Sequence, residues 1–241
     1  MKKLQSRTAL ITGANRGIGL AIAKAYAREG ARCILAGRNK AELEKAASEV
    51  GNASVLTLDL DQPDSIRAAT QSLAKSQSKL DIFVANAAVL GARKPIAEYP
   101  FDAWVETFQA NVHANLLLIQ GLDPLLRKSD AGRIVILTTG VARTPKAGSG
   151  SYAITKAALE MMASVYAQEV AGTPIRLNMV NPGPTRTQMR AQVMPTEDPL
   201  TLKTPEDIAP LFVELASPAC TRQTEWISAD AWLKSVKEPS R

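Results

Sequence analysis

The sequence predicts an α/β protein built as a doubly wound, mostly parallel sheet with helices on both faces. Three observations carry that expectation. Short apolar runs rich in β-branched residues alternate with longer stretches whose apolar positions repeat at helical spacing, the pattern of strand-helix-strand units. The first such run leads straight into a glycine-rich turn that opens a helix. The chain has 241 residues, 46% of them hydrophobic and 22% charged, which suits one domain with a sizeable core, so 1–241 reads as a single unit.

The elements follow in order. Residues 8–12 form the first strand; beyond the turn at 13–16, Ile18, Ala21, Ile22, Ala25 and Tyr26 share one helical face and Gly30 closes that helix. A strand at 32–36, a helix at 40–50, a strand at 54–58, a helix at 63–76 and a strand at 80–85 complete the first part. The stretch 101–127 reads as one long helix, 133–138 as the fifth strand, 152–169 as an Ala- and Met-rich helix and 175–180 as the sixth strand. Thr204, Pro205, Glu206 and Asp207 sign a helix start ahead of Ile208, Leu211, Phe212 and Leu215. Pro210 should kink that helix or leave its first turn irregular.

Composition removes several function classes. His113 is the single histidine, so a His-rich metal centre is out of reach and no metal is expected; its position about 200° from Asn111 around the helix gives it a structural role. The two cysteines, Cys33 and Cys220, are too few for a disulfide scaffold and fit a reducing compartment. The basic start is followed by an apolar run of strand length only, unlike a secretion signal, and no run approaches the roughly 18 apolar residues of a membrane span. A soluble, cytoplasmic protein without membrane association is expected. The net charge is +6, yet Lys and Arg are dispersed, so nucleic acid is not expected as a partner.

The turn Thr12-Gly13-Ala14-Asn15-Arg16-Gly17-Ile18-Gly19 lies between strand and helix, where absent side chains let a diphosphate approach backbone N–H groups and the positive helix end. This makes the expected sheet Rossmann-type. At the end of the second strand a diol-binding site would offer a carboxylate; the chain offers Gly37-Arg38. Arg38, aided by Arg16, would pair with a 2′-phosphate, so NADP(H) is expected over NAD(H), which the same cradle would also accept.

Tyr152 and Lys156 stand four residues apart, hence on one helical face. A free tyrosine titrates near ~10, so acid-base work near neutrality calls for stabilisation of its phenolate, part of which a fixed ammonium can supply.

Together with the glycine turn, this pair resembles the short-chain dehydrogenase/reductase family in its compact single-domain branch, broadly like the 3-oxoacyl reductases. The likeness runs nearly end to end. It includes Asp59 after the third strand, Asn86-Ala87-Ala88 after the fourth, Asn111 in the long helix and Pro182-Gly183 after the sixth. The resemblance implies NAD(P)-dependent interconversion of a carbonyl and a secondary alcohol, with Tyr152 as general acid/base and Lys156 holding the nicotinamide ribose and depressing the tyrosine pKa. It implies further that Asp59 and Leu60 contact adenine, that Asn86 stabilises the sheet centre beside the cofactor, and that Asn111 positions a water linking Lys156 to solvent. Asn111 could instead satisfy helix carbonyls and Asp59 could cap a turn. Thr187 matches a hydroxyl that contacts the carboxamide, and it is equally a helix cap.

Two departures from the family pattern stand out. Thr139 replaces the substrate-orienting serine; its hydroxyl can donate the same hydrogen bond, with a methyl that crowds the pocket. Ala88 stands where the family usually has glycine, adding a Cβ beside the cofactor channel. These departures leave a second reading, a weakly active or inactive NADP(H)-binding regulator of the same fold. The segment 184–204, with Met189, Met194, Leu200 and Leu202 among charged residues, is expected to be the substrate lid. A small carbonyl or alcohol, or an acyl thioester, would be the substrate. The resemblance implies a homodimer or homotetramer through the helices at 101–127 and 152–169; the poor match of 224–230 to the family's terminal strand and glycine pair puts the tetramer in question.

Overall fold

A computed structural model describes residues 2–238. Seven parallel strands form one sheet in the order β3-β2-β1-β4-β5-β6-β7. They are β1 (Thr8–Thr12), β2 (Arg32–Gly37), β3 (Ala53–Thr57), β4 (Ile82–Ala85), β5 (Arg133–Leu137), β6 (Arg176–Asn181) and β7 (Trp226–Ser228). The helices are α1 (Gly17–Arg28), α2 (Lys40–Val50), α3 (Pro63–Ser76), α4 (Phe101–Phe108), α5 (Ala114–Leu126), α6 (Gly150–Glu169), α7 (Gln188–Val193), α8 (Pro205–Ala216) and α9 (Ala229–Lys237).

Strands buried on both faces read as continuous apolar runs, and the two-residue period divides them between two cores. Ile11 and Val84 face Ile22 and Tyr26 of α1, Leu43 of α2 and Phe212 of α8. Leu10 and Phe83 face Ile66 of α3, Leu122 of α5 and Leu159 of α6. Tyr26, fully buried, satisfies its hydroxyl by donating to the Phe212 carbonyl at 3.1 Å. At the end of the sheet away from the glycine turn, buried Asp81 accepts from Thr8 N (3.0 Å) and Ser129 Oγ (2.6 Å) and pairs with Arg7 and Lys79. Buried Arg133 is satisfied by main-chain oxygens that include those of Ser217 and Pro218.

Three elements add detail to the expected pattern. The expected long helix at 101–127 is helical throughout Phe101–Leu126, but a π-helical turn at Gln109–His113 joins α4 to α5 within it. A seventh strand joins the sheet where the sequence shows little strand character: Trp226–Ser228 pairs with Met179–Asn181, and α9 follows. α8 spans Pro205–Ala216 with Pro210 inside it, and its first turn is regular, fixed by a capping box between Thr204 and Asp207. Residues 239–241 lie outside the described residues. No helix among those described is long and apolar enough to cross a membrane.

Candidate active site

The chain leaves β1 at Thr12 and turns through Gly13 (φ +64°) and Gly17 (φ +55°), left-handed conformations that favour glycine. Space is equally restrictive: a Cβ on Gly19 would lie 2.5 Å from the Gly13 carbonyl oxygen, and one on Gly13 would lie 2.9 Å from Asn86 Nδ2. No side chain caps the N-terminus of α1, so its first N–H groups are left for an anion. Asn86 joins the ends of β1 and β4. Its amide donates to the oxygens of Thr12 (2.8 Å) and Gly13 (3.2 Å), while Thr12 Oγ1 accepts from the N–H groups of Asn86 and Ala87 at 3.0 and 3.1 Å. This is the centre of the sheet, where the strand order reverses and open α/β folds bind ligands.

Two adjoining clefts open there. One, of about 390 Å³, is lined by Gly13, Asn15, Arg16, Arg38, Asp59, Leu60 and Ala88. Arg38 is exposed and pairs with Asp61 at 3.2 Å, and Asn15 donates to Glu42 at 2.6 Å. Asp59 caps its own turn, its Oδ1 accepting from Asp61 N at 3.1 Å. Ala88 is not among the residues with positive φ, so its Cβ needs no unusual backbone path.

The other cleft, of about 450 Å³, is lined by Ile18, Thr139, Tyr152, Pro182, Gly183 and Thr187. Thr187 is the N-cap of α7, accepting from Arg190 N at 3.1 Å, and a Cβ on Gly17 would sit 3.6 Å from its methyl. The glycine turn and α7 thereby close on one another. Met189 lines the cleft, while Met194 and Leu200 are exposed. The segment around α7 is held down by a two-pronged Arg190–Glu197 pair (2.6 Å each) and by Lys203, which donates to the Pro184 carbonyl at 2.7 Å and to Asp230 at 2.5 Å.

Tyr152 and Lys156 share a face of α6, but only Tyr152 lines the cleft. Lys156 is buried behind the wall and donates to the Leu137 carbonyl at 2.8 Å. Burial lowers its pKa to about 8, a fall opposed by the Glu160 carboxylate. In the protein alone, burial pushes the Tyr152 phenol up to about 12. The ammonium is engaged with a carbonyl, and loss of water from the phenolate prevails.

Asn111 is fully buried in the π-helical turn. Its side chain accepts from Val89 N (2.9 Å) and donates to Val89 O (2.9 Å) and Thr155 Oγ1 (3.1 Å), bracing the loop after β4 against α6. Its own carbonyl accepts from Asn115 Nδ2 at 2.9 Å. His113 points outward to Gln109.

Several neighbours escaped the sequence reading. Tyr99 and Ser151 hydrogen-bond at 2.6 Å beside Gly150 (φ +52°). Arg93 reaches over from the loop before α4 to the Val193 carbonyl. Glu160, buried one turn beyond Lys156, binds Thr138, Arg143 and Trp226. The four-residue spacing from Lys156 to Glu160 was visible in the chain; the partners of Glu160 come from distant segments and were not.

A doubly wound sheet with a glycine cradle at its reversal point and a Tyr-x-x-x-Lys helix on the adjoining wall defines a class of dinucleotide-binding oxidoreductase folds. Residues 7–198 match the short chain dehydrogenase family model. The chain is 40% identical over 228 residues to the oxidoreductase YciK of Escherichia coli, covering 92% of this chain and 90% of that one. It is 31% identical over 236 residues to a rhamnolipids biosynthesis 3-oxoacyl-[acyl-carrier-protein] reductase of Pseudomonas aeruginosa, covering 90% and 91%. A crystal structure of a Shigella flexneri short chain dehydrogenase complexed with NADP superimposes with a TM-score of 0.91 at 38% identity, over 95% of this chain and all of that one. The protein belongs to the short-chain dehydrogenase/reductase family and is an oxidoreductase.

Proposed function

We propose that the protein is an NADP(H)-dependent enzyme that interconverts a carbonyl and a secondary alcohol, with Tyr152 as the proton-handling group. The observation that carries the reading is the meeting of Tyr152 on α6 with Thr139 at the end of β5 in a cleft that adjoins the glycine cradle.

The residues of the cradle fit a dinucleotide. Gly13 and Gly19 leave no room for side chains, the α1 N-terminus is uncapped, and Arg38 and Arg16 stand where a ribose phosphate would meet them. Arg38 would exchange Asp61 for that phosphate, and the NADP in the Shigella flexneri relative supports the same preference. Asp59 and Leu60 would flank the adenine, and Pro182, Gly183 and Thr187 the nicotinamide end. The bound dinucleotide supplies or takes the hydride. Tyr152 holds its proton firmly, so at neutral pH it is in the form that gives a proton to a carbonyl oxygen, while the Thr139 hydroxyl donates a second hydrogen bond to that oxygen. Lys156 anchors the end of β5 behind them, and Asn111 fixes the facing loop.

The walls near Tyr152 are apolar (Leu90, Val141, Met189), and Arg93 and Lys146 lie in the same cleft. This favours a carbonyl on an apolar chain with an anionic remainder, as in an acyl thioester, with 184–204 as the lid. On α6, Ile154, Met161 and Val165 are exposed in helical register, near in kind to Phe101 and Val105 of α4 and Leu116 of α5; such an apolar face suits a second copy of the chain. Two free cysteines accord with a cytoplasmic setting.

The test is NADPH oxidation over a panel of oxoacyl thioesters, diketones, quinones and aldehydes, with Tyr152→Phe alongside. Turnover of one class, lowered at least about 100-fold by Tyr152→Phe, is expected. NADPH binding without turnover of any carbonyl would favour the regulatory reading instead.

A further inference from the structure

Two turns beyond Tyr152, α6 carries Glu160, a carboxylate that the proposed chemistry does not use. It is 7% exposed, and a buried carboxylate persists only when donors surround it. One oxygen accepts from the Thr138 hydroxyl and from the Trp226 indole N–H at 3.0 Å; the other accepts from Arg143 Nε at 2.7 Å. The Arg143 guanidinium also lies 4.8 Å above the Trp226 ring, so the donors brace one another.

These partners come from separate parts of the fold. Thr138 follows β5, Arg143 follows the short turn Gly140–Ala142, and Trp226 opens β7. Thr138 and Arg143 therefore bracket Thr139, whose backbone is extended (φ −156°, ψ 152°). Thr138, itself buried, and Thr139 both line the cleft, and fastening the Thr138 hydroxyl to Glu160 fixes the backbone from which Thr139 enters it. The Thr138 hydroxyl, its proton committed to Glu160, is also withdrawn as a competing donor to a substrate oxygen. Because Glu160 and Tyr152 sit on one rigid helix, the carboxylate sets the strand end in the same frame as the phenol.

We propose that Glu160 is a positioning residue: its buried carboxylate clamps the Thr138–Arg143 segment to α6 and so sets the Thr139 hydroxyl opposite Tyr152. This rests on the carbonyl-reducing reading given above. An apolar residue at 160 would fill the space but leave three converging donors without an acceptor.

The test compares Glu160→Gln, Thr138→Val, Thr138→Ser and the Glu160→Gln/Thr138→Val double variant in the full-length protein, measuring kcat, KM, NADPH affinity by fluorescence and thermal midpoint. The glutamine amide cannot accept from Thr138 and Arg143 together, since its –NH2 would face one of them. Glu160→Gln and Thr138→Val are each expected to lower kcat about tenfold or more with NADPH affinity within about twofold. Thr138→Ser should restore kcat, and the double variant should be no slower than Glu160→Gln, because both act on one contact. Should Glu160→Gln be recovered unfolded, Thr138→Val, which keeps the Glu160–Arg143 pair, carries the test with Thr138→Ser. An unchanged kcat with a lowered thermal midpoint would reduce Glu160 to a brace and overturn the proposal, as would simple additivity in the double variant. A wild-type protein that turns over no carbonyl overturns the functional reading and this one with it; an active wild type with unaffected variants overturns this inference alone.

Discussion

The buried ammonium of Lys156 donates to the main-chain oxygen of Leu137 at 2.8 Å, fastening the middle of α6 to the last residue of β5. The bond places a positive charge behind Tyr152 without pairing the two side chains. One such bond does not replace the water an ammonium loses on burial, and the Lys156 pKa falls to about 8 from 10.5.

That shift sets a pH dependence for stability. Below about pH 8 the lysine is charged in both the folded and unfolded chains and the folded state carries the full desolvation cost. Between about 8 and 10.5 the unfolded chain binds more protons, so stability from this group rises with pH. Relative to Lys156→Met, the wild type should gain on the order of 3 kcal/mol between about pH 7.5 and 10.5 in urea unfolding. Tyr26, Tyr152 and Tyr166, whose phenols burial pushes up, are present in both proteins and cancel. A difference that stays flat over this range would contradict the burial argument.

Tyr152 titrates in the opposite sense. Its folded pKa of about 12 exceeds the ordinary value of 10.0, so its contribution to stability is complete below pH 10 and is lost as pH rises through 12. A tyrosinate absorbance titration of the protein without cofactor should show wild type and Tyr152→Phe superimposed up to about pH 10.5 and separating only above it. Separation near pH 7 to 8 would mean a phenol already acidified by its neighbours.

Much of this was legible in the chain because it is local. The glycine turn, the Tyr-x-x-x-Lys spacing and six strands are written in contiguous residues whose periods differ. The π-helical turn was hidden because apolar periodicity continues through Gln109–His113 on both sides. β7 is three residues long at a sheet edge, too short for any alternation to register. The direction of the Tyr152 shift depends on how closely distant segments bury the ring, and the clamp on Glu160 depends on residues 138, 143 and 226 meeting in space. Neither is a property of spacing along the chain.

The Thr139 hydroxyl is the donor proposed to face the reacting oxygen. Thr139→Ala should lower kcat by roughly 10²- to 10³-fold, the usual cost of removing one such donor, while Thr139→Ser keeps the hydroxyl and relieves the methyl. Steady-state kinetics with the substrate class found in the screen distinguishes them; equal activity in all three proteins would remove Thr139 from the site.

Arg38 is paired with Asp61 at the surface of the adenosine-side cleft. Arg38→Ala should raise KM for NADPH by about ten- to hundredfold and leave KM for NADH unchanged, because only the phosphate contact is lost. A parallel rise for both cofactors would assign Arg38 to the shape of the turn.

The most direct measurement is the fate of isotope from NADPH deuterated at the transferring position of the nicotinamide. Mass spectrometry of the product alcohol should find one deuterium on the carbinol carbon with wild-type protein and almost no product with Tyr152→Phe. Undiminished product from Tyr152→Phe, or tight NADPH binding by the wild type with no deuterium delivered to any carbonyl, would contradict the role given to the cleft between α6 and the glycine cradle.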